Sequence, residues 1–474
     1  MKTTQEMKIG SSNWEFSNRI DATETIPNIN ENSGINKSPQ DIIQVFNTKE
    51  IDTDWSFIEY KPSDTGKWTH NYHRYPAKFI PQLVEKLIDE NIICSEAHIN
   101  DPFFGCGTTI ITGISRGFKV SGTDINKIAY LITKVKATPI EPEYLETKIN
   151  NLLFELKMLN SPQITFLGDN FEPLIPQKHL DRIDYWFSEK NKIELGKILR
   201  VIYKEEDENI RNFFLVAFSH ILKSCSIWLQ GSTKPTRDFN KKTSKPFETF
   251  RRHLMKMQNG NREFYNIVHK NVIENLNQYL NIKIGNAKNQ PLDDETVDLV
   301  ITSSPYVTSY EYADIHQLST IWLDLADDLI EYKKEFIGTS YKKYENRVLK
   351  SLIAKDIVEK MEHKSKKMAK EIEAFFIDMQ EVFDESFRIM KKGGRSCYVI
   401  GDTKLKGIDI LNAEVFAESL QYSGFKFDRL IKREIPSKIL PQKRDEKTGR
   451  FATKNEANFE AYPIEYIVIG LKDK

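Results

Sequence analysis

The apolar run VDLVIT, residues 297–302, stops abruptly at Ser303-Ser304-Pro305-Tyr306. A buried strand ending in two hydroxyls, a proline and an aromatic ring sets polar groups at a rigid tip. An amine conjugated to a heteroaromatic ring is a poor nucleophile, because its lone pair is delocalised. A catalyst must accept hydrogen bonds from both N–H groups and so draw the nitrogen toward tetrahedral geometry. The Ser303 hydroxyl offers one acceptor and the Ser304 carbonyl the other. Pro305 keeps Ser304 extended and fixes the direction of that carbonyl. Tyr306 offers a flat face for stacking, worth about 1 to 3 kcal/mol for a nucleobase.

A second group of residues suits a ligand rather than a reaction. Asp101-Pro102-Phe103-Phe104-Gly105-Cys106-Gly107-Thr108-Thr109 follows the short strand AHIND and opens a helix, the place where parallel sheets bind ligands. Gly105 and Gly107 let the backbone turn tightly and approach a ligand without Cβ interference. The loop lacks the GxxxxGK[ST] order of a phosphate loop, so a nucleoside-like ligand without a pyrophosphate fits better. Asp124 closes the next strand, FKVSGTD, where a carboxylate can accept hydrogen bonds from both ribose hydroxyls. Lys78 can neutralise a carboxylate or stand solvated. Asn286 can pair with a base edge or cap a turn.

Taken together, DPFFGCGTT and the strand-terminal Asp124 resemble motifs I and II of the S-adenosylmethionine-dependent DNA amino-methyltransferases. HNYHRYPAKFIPQLVEKLI resembles motif X of that family at Pro76, Lys78, Phe79 and Pro81, and IKIGNAKNQPLDDETVDLV resembles motif III with Asn286 in a position often held by Asp. TSSPY resembles motif IV, with Ser304 where the family has a proline. The resemblance implies S-adenosylmethionine as cofactor, bound by Lys78, Phe79, Asp101, Phe103, Gly105, Gly107 and Thr108, with Asp124 on the ribose and Asn286 on the adenine edge. It assigns Ser303, Ser304, Pro305 and Tyr306 to the reaction. A serine in the first position favours cytosine N4 over adenine N6. His70, His73 and His316 read as structural or DNA-facing residues, because a methylated amine sheds its proton without a strong base.

Parallel crossover units must hold these groups in place. An amphipathic helix begins at Pro81, then strand, helix, strand and helix alternate to residue 137. The pattern breaks for about 140 residues, mostly helical, and resumes at NIKIGNA. The last two strands, FKFDRLIKRE and AYPIEYIVIGLK, have no helix between them and pair antiparallel. The expected fold is α/β: a doubly wound, mostly parallel sheet of the Rossmann-like methyltransferase type, ending in an antiparallel hairpin and carrying a mainly helical inserted domain. The expected divisions are a loosely attached arm over 1–45, a first catalytic part over 46–140, an inserted basic recognition region over 141–278, and a second catalytic part over 279–474.

Formal charge balances at 68 against 68, so total charge points to no partner. Its distribution does. Residues 222–270 carry a marked excess of Lys and Arg, and a target base inside a duplex must be flipped out while something holds the phosphates. Trp228, Lys234, Arg237, Lys241, Lys242, Arg251 and Arg252 are the expected contacts to double-stranded DNA, with a second basic stretch over 432–450. Four scattered cysteines without a CxxC pair argue against disulfides and zinc. With no signal-peptide pattern and no long apolar run, a cytoplasmic location in a bacterial or archaeal cell is expected. The expected function is methyl transfer to DNA beside a cognate restriction endonuclease. An adenine-N6 enzyme, an RNA or protein-glutamine methyltransferase, and an inactive cofactor- or DNA-binding subunit are the alternatives.

Overall fold

The computed structural model describes residues 37–473 except 76–77, 93, 95, 160–171, 233, 308–311, 339–346, 436–442, 445–458 and 461–463. Pro76, residues 1–36 of the expected arm and most of the 432–450 basic stretch lie outside the described residues. Seven strands form the main sheet: β1 (His98–Asp101), β2 (Lys119–Asp124), β3 (Leu280–Ile284), β4 (Val297–Ser303), β5 (Met390–Ile400), β6 (Lys426–Glu434) and β7 (Ile464–Leu471). Their order is β3-β2-β1-β4-β5-β7-β6. The first five strands are parallel, while β7 runs antiparallel to both β5 and β6. This is the doubly wound sheet of the Rossmann-like methyltransferase type, closed by an antiparallel hairpin. The order reverses between β1 and β4, and the crevice beyond their carboxyl ends is where such sheets take ligands.

The central strands are covered on both faces, as parallel strands must be. On one face lie α2 (after α1, Pro39–Thr48; α2, Pro81–Asn91), α3 (Thr108–Ser115) and α4 (Lys127–Ala137), against Ile99, Val120, Leu299, Ile301 and Val399. Pro81 begins α2 because its missing N–H is unneeded there. In the insertion, α5 (Pro142–Leu159), α6 (Leu180–Trp186), α7 (Glu189–Ile202), α8 (Glu208–Cys225) and α9 (Pro246–Ile267) precede β3, and α10 (Gln317–Trp322) and α11 (Leu329–Lys334) follow β4. The sheet's other face meets α12 (Leu352–Glu362), α13 (Lys366–Ile389) and α14 (Asn412–Tyr422), where Phe383 packs edge-on to Tyr398 and Phe416.

Two expectations need correction. Residues 37–45 are docked rather than loose: Ser38 and Asp41 form a capping box, and α1 buries Ile42, Ile43 and Phe46, the last with its ring 5.2 Å from that of Tyr466. The helical insertion is also no separate lobe. Its Phe213, Phe218, Trp186 and Leu199 share one buried cluster with Ile128, Ile132 and Val135 of α4 and Trp322 of α10, and sheet and insertion belong to one compact unit. Among the described residues, no helix is long and apolar enough to cross a membrane and no cluster of metal-ligating side chains occurs. All four cysteines carry free thiols.

Candidate active site

At the carboxyl end of β1 the chain must turn into α3 within a few residues. Gly105 has φ +49°, and a Cβ there would lie 3.2 Å from the Tyr75 ring. Its N–H donates to Asp124 Oδ2 at 2.9 Å, and the Asn126 N–H donates to Oδ1 at 2.8 Å. Glycine loop and Asp124 are thus one unit. Burial pushes the Asp124 carboxyl up to about 6, against the pull of those two N–H donors. Gly107 serves a different purpose from the one expected. It sits at φ +80° as the N-cap of α3, and a Cβ there would lie 2.6 Å from Thr133 Cγ2. It shapes the turn from behind and is not among the residues lining the cleft.

Asp101 ties this loop to the second motif. It is buried, and its Oδ1 accepts from the Thr302 hydroxyl at 2.7 Å and the Phe103 N–H at 3.1 Å. Burial raises its carboxyl to about 7. The Thr109 hydroxyl adds a bond of 3.1 Å to the Ile301 carbonyl. The ends of β1 and β4 are therefore locked side by side before any ligand arrives.

Between them opens a cleft of about 830 Å³, part of it open solvent. Lys78, Phe79, Asp101, Phe103, Gly105, Thr108, Asp124 and Asn286 line it, and so do Ser303 and Pro305. Asn286 lies on the wall while its Oδ1 also accepts from the Lys288 N–H at 3.1 Å, so it caps a turn as well. Ser304 is buried, and its Oγ finds no hydrogen-bond partner among the described residues. Neither Ser304 nor Tyr306 is among the residues lining the cleft. Tyr306 packs against Gly401, and its hydroxyl donates to Glu465 Oε1 at 3.3 Å. Glu465 faces Arg433 across the β6–β7 pair, Nε to Oε2 at 3.7 Å, and the guanidinium lies 5.5 Å from the Phe57 ring. The C-terminal strand pair therefore holds the Tyr306 ring in place.

Three parts of the site escaped the sequence reading. Glu335, Phe336 and Ile337, just after α11, line the cleft. They are held there by Tyr332, whose hydroxyl accepts from the Lys127 N–H at 2.9 Å and donates to Asn126 Oδ1 at 3.2 Å. Tyr75 forms another stretch of wall, with the His316 ring 4.9 Å behind it. Lys136, fully buried, donates to the carbonyls of His70 and Cys106 at 3.2 and 3.1 Å. A buried lysine in the last turn of α4 reads from sequence as solvated.

His70, His73 and His316 are buried, so they do not face DNA. Burial lowers all three, His316 to about 4, which keeps them neutral at pH 7. The His73 ring meets His220 at 5.5 Å and His316 at 6.1 Å, while His220 stacks on His253 at 3.7 Å. Arg74, Lys223, Lys241 and Lys256 crowd this cluster closely enough to act on its members or on one another. Burial, with Lys241 and Arg74 nearby, brings Lys223 down to about 8.

The expected DNA contacts divide. Trp228 is buried, stacked on Trp186 at 5.1 Å with its Nε1–H donating to the Ser232 carbonyl at 3.2 Å, so it is a core residue. Lys241 is half-buried and donates to the Trp228 and Lys223 carbonyls at 2.6 and 2.7 Å, bracing the segment rather than presenting its charge. Arg237 lies between the Tyr185 and Phe239 rings at 4.0 and 4.4 Å. Lys234, Lys242, Arg251 and Arg252 are exposed, Arg251 with Glu248 at 3.7 Å.

No family model matches the chain. It is similar to the Type II methyltransferase M.MvaI of Kocuria varians, at 29% identity over 84% of this chain and 90% of that protein. M.BsoBI of Geobacillus stearothermophilus is 22% identical over 77% of this chain and 81% of its own length. M.MjaII of Methanocaldococcus jannaschii is also 22% identical, over 62% of this chain and 69% of its own. The similarity thus extends over most of the length of these methyltransferases and is not confined to the motifs.

Proposed function

We propose, from that similarity and the geometry of the cleft, that the chain transfers a methyl group from S-adenosylmethionine to the exocyclic amine of a base flipped out of double-stranded DNA. The modification role in a Type II restriction system belongs to this reading. One observation carries it: the glycine loop with its acid and the Ser303-Pro305 tip line the same cleft, so a cofactor and an acceptor base can meet in it. The residues fit the cofactor. A Cβ at Gly105 would crowd the cradle against Tyr75, Asp124 stands at a strand end where ribose hydroxyls can donate, and the Lys78 ammonium can meet a carboxylate.

Bound S-adenosylmethionine supplies an electrophilic methyl on its sulfonium. The chain positions the acceptor: the Ser303 hydroxyl and Ser304 carbonyl accept from the two N–H groups, Pro305 stiffens the tip, and Tyr306 stacks on the base. The new N–C bond forms as the S–C bond breaks. The amine's surplus proton then leaves to solvent along its hydrogen bond to Ser303. Arg74 and Lys256 are exposed beside half-buried Lys223, and a polyanion is the partner such a basic patch favours.

Ser303, an uncharged acceptor, favours cytosine N4. The test is incubation with S-adenosylmethionine tritiated in the methyl group and mixed-sequence DNA, followed by hydrolysis to nucleosides. Label in N4-methylcytosine is expected. Label in N6-methyladenine would move the assignment to adenine, and label in RNA or protein with none in DNA would overturn the function.

A further inference from the structure

Lys136 has no exposed surface, and no carboxylate reaches it among the described residues. A cation taken out of water without a counter-ion is costly, so its retention asks for a reason. Capping the negative end of α4 is insufficient, since Lys134 in the same last turn does so while paired to Glu208 at 2.7 Å. What sets Lys136 apart is its bonds. One goes to the Cys106 carbonyl inside the glycine loop, the other to the His70 carbonyl in the segment leading to Lys78. The Lys78 ammonium, on the cleft wall, donates to that same His70 oxygen at 3.2 Å. Both nitrogens lie 3.2 Å from one oxygen, and are therefore no further apart than twice that.

We propose that Lys136 is a positioning residue for the carboxylate of the cofactor's methionyl moiety, joining the two walls of the cleft and placing a buried positive charge behind Lys78. This rests on the reading of the cleft as the S-adenosylmethionine site. Two ammonium groups converging on one carbonyl repel each other while the cleft lacks an anion, and a carboxylate beside Lys78 relieves that repulsion. The groups facing Lys136 are Lys78, the Cys106 thiol and the His70 and His73 rings; Lys78 disfavours its charge and Cys106 favours it. Burial and Lys78 bring Lys136 down to about 8. A carboxylate that favours the charged form raises that value again, so binding takes up protons in mildly alkaline solution.

Calorimetric titration of the full chain at pH 7 and pH 9 tests this, with S-adenosylmethionine and with its decarboxylated analogue. For the wild type, affinity for S-adenosylmethionine falls about tenfold more between the two pH values than affinity for the analogue, the ratio set by deprotonating a group near 8. Lys136→Met binds about tenfold more weakly at pH 7 and loses that extra fall. Lys136→Arg restores affinity at pH 7 without the fall, because its charge persists at pH 9. Equal pH dependence for the two ligands in the wild type would overturn the inference even if both variants failed to fold. A wild type that binds neither ligand would overturn the cofactor reading, and this inference with it.

Discussion

The cleft and the helical insertion are packed by different means. Around the cleft, buried Asp101 and half-buried Asp124 accept hydrogen bonds from neutral groups while buried Lys136 donates to two carbonyls, and each is pushed toward its uncharged form. The insertion buries His220, His253 and part of Lys223 too, but most of its core is aromatic: Trp186 stacks on Trp228, while Phe187 and Phe218 meet Trp322 of α10 edge-on. Burying charge weakens a fold, and burying aromatic surface strengthens it. The difference teaches that the catalytic half is held in a strained electrostatic state by a neighbour that contributes the stability. Function and folding should therefore respond to different substitutions.

The largest effect expected is at Trp228. Trp228→Ala removes a fully buried ring and should cost about 3 to 5 kcal/mol in denaturant-induced unfolding. A change below about 1 kcal/mol would mean that the insertion does not stabilise the whole. Ser303→Ala should do the reverse, lowering kcat on the order of 100-fold, about 2.7 kcal/mol, as loss of one transition-state hydrogen-bonding partner does. Its melting temperature and cofactor affinity should stay near those of the wild type; a large stability loss would make Ser303 a structural residue.

Acidification should separate the two regions without any substitution. The Asp101 and Asp124 values are raised above those of an unfolded chain, so their cost to the fold is present above about 7 and about 6 and fades as pH falls. From these two groups alone, stability should rise between pH 7.5 and pH 5. Cofactor affinity should move the other way, because a protonated Asp124 accepts poorly from ribose hydroxyls. Below about 6 the loss should approach tenfold, about 1.4 kcal/mol, for each pH unit. Titrations at pH 7 and pH 5 with a parallel melting series would check both signs. The smallest effect belongs to the exposed arginines. Arg251→Ala or Arg252→Ala should leave stability within about 0.5 kcal/mol and reduce the salt dependence of DNA binding by about one phosphate contact. An unchanged salt slope would remove that face from the DNA path.

The parts of this arrangement that were legible from sequence are those tied to backbone geometry. DPFFGCGTT and TSSPY mark strand ends, and a strand end's place in a parallel sheet follows from the alternation of strands and helices. Most of the residues named for the cofactor therefore line one cleft. Side-chain direction within a charged run was illegible, because charge alone does not say which face is covered. Trp228 and Lys241 turned inward for that reason, as the Trp186 ring and two backbone carbonyls give them partners there. Lys136 shows the converse: its helix has the pattern of a solvated rim, and only the segment carrying His70, folded across it, takes it out of water. Phe336 reaches the cleft, with Tyr332 packed edge-on behind it, from a place remote in sequence where no local period marks them.

The shared cluster of α4, the insertion and α10 also bears on how the insertion can change. Residues 141–278 cannot be exchanged between relatives as a cassette, since removing them would strip cover from Ile128, Ile132, Val135 and Trp322 together. A transplanted segment would have to match that aromatic footprint ring for ring before the chain could fold around it. Change in this region should therefore proceed by substitution on an outer surface that leaves the interior untouched, slowly and without modular swaps.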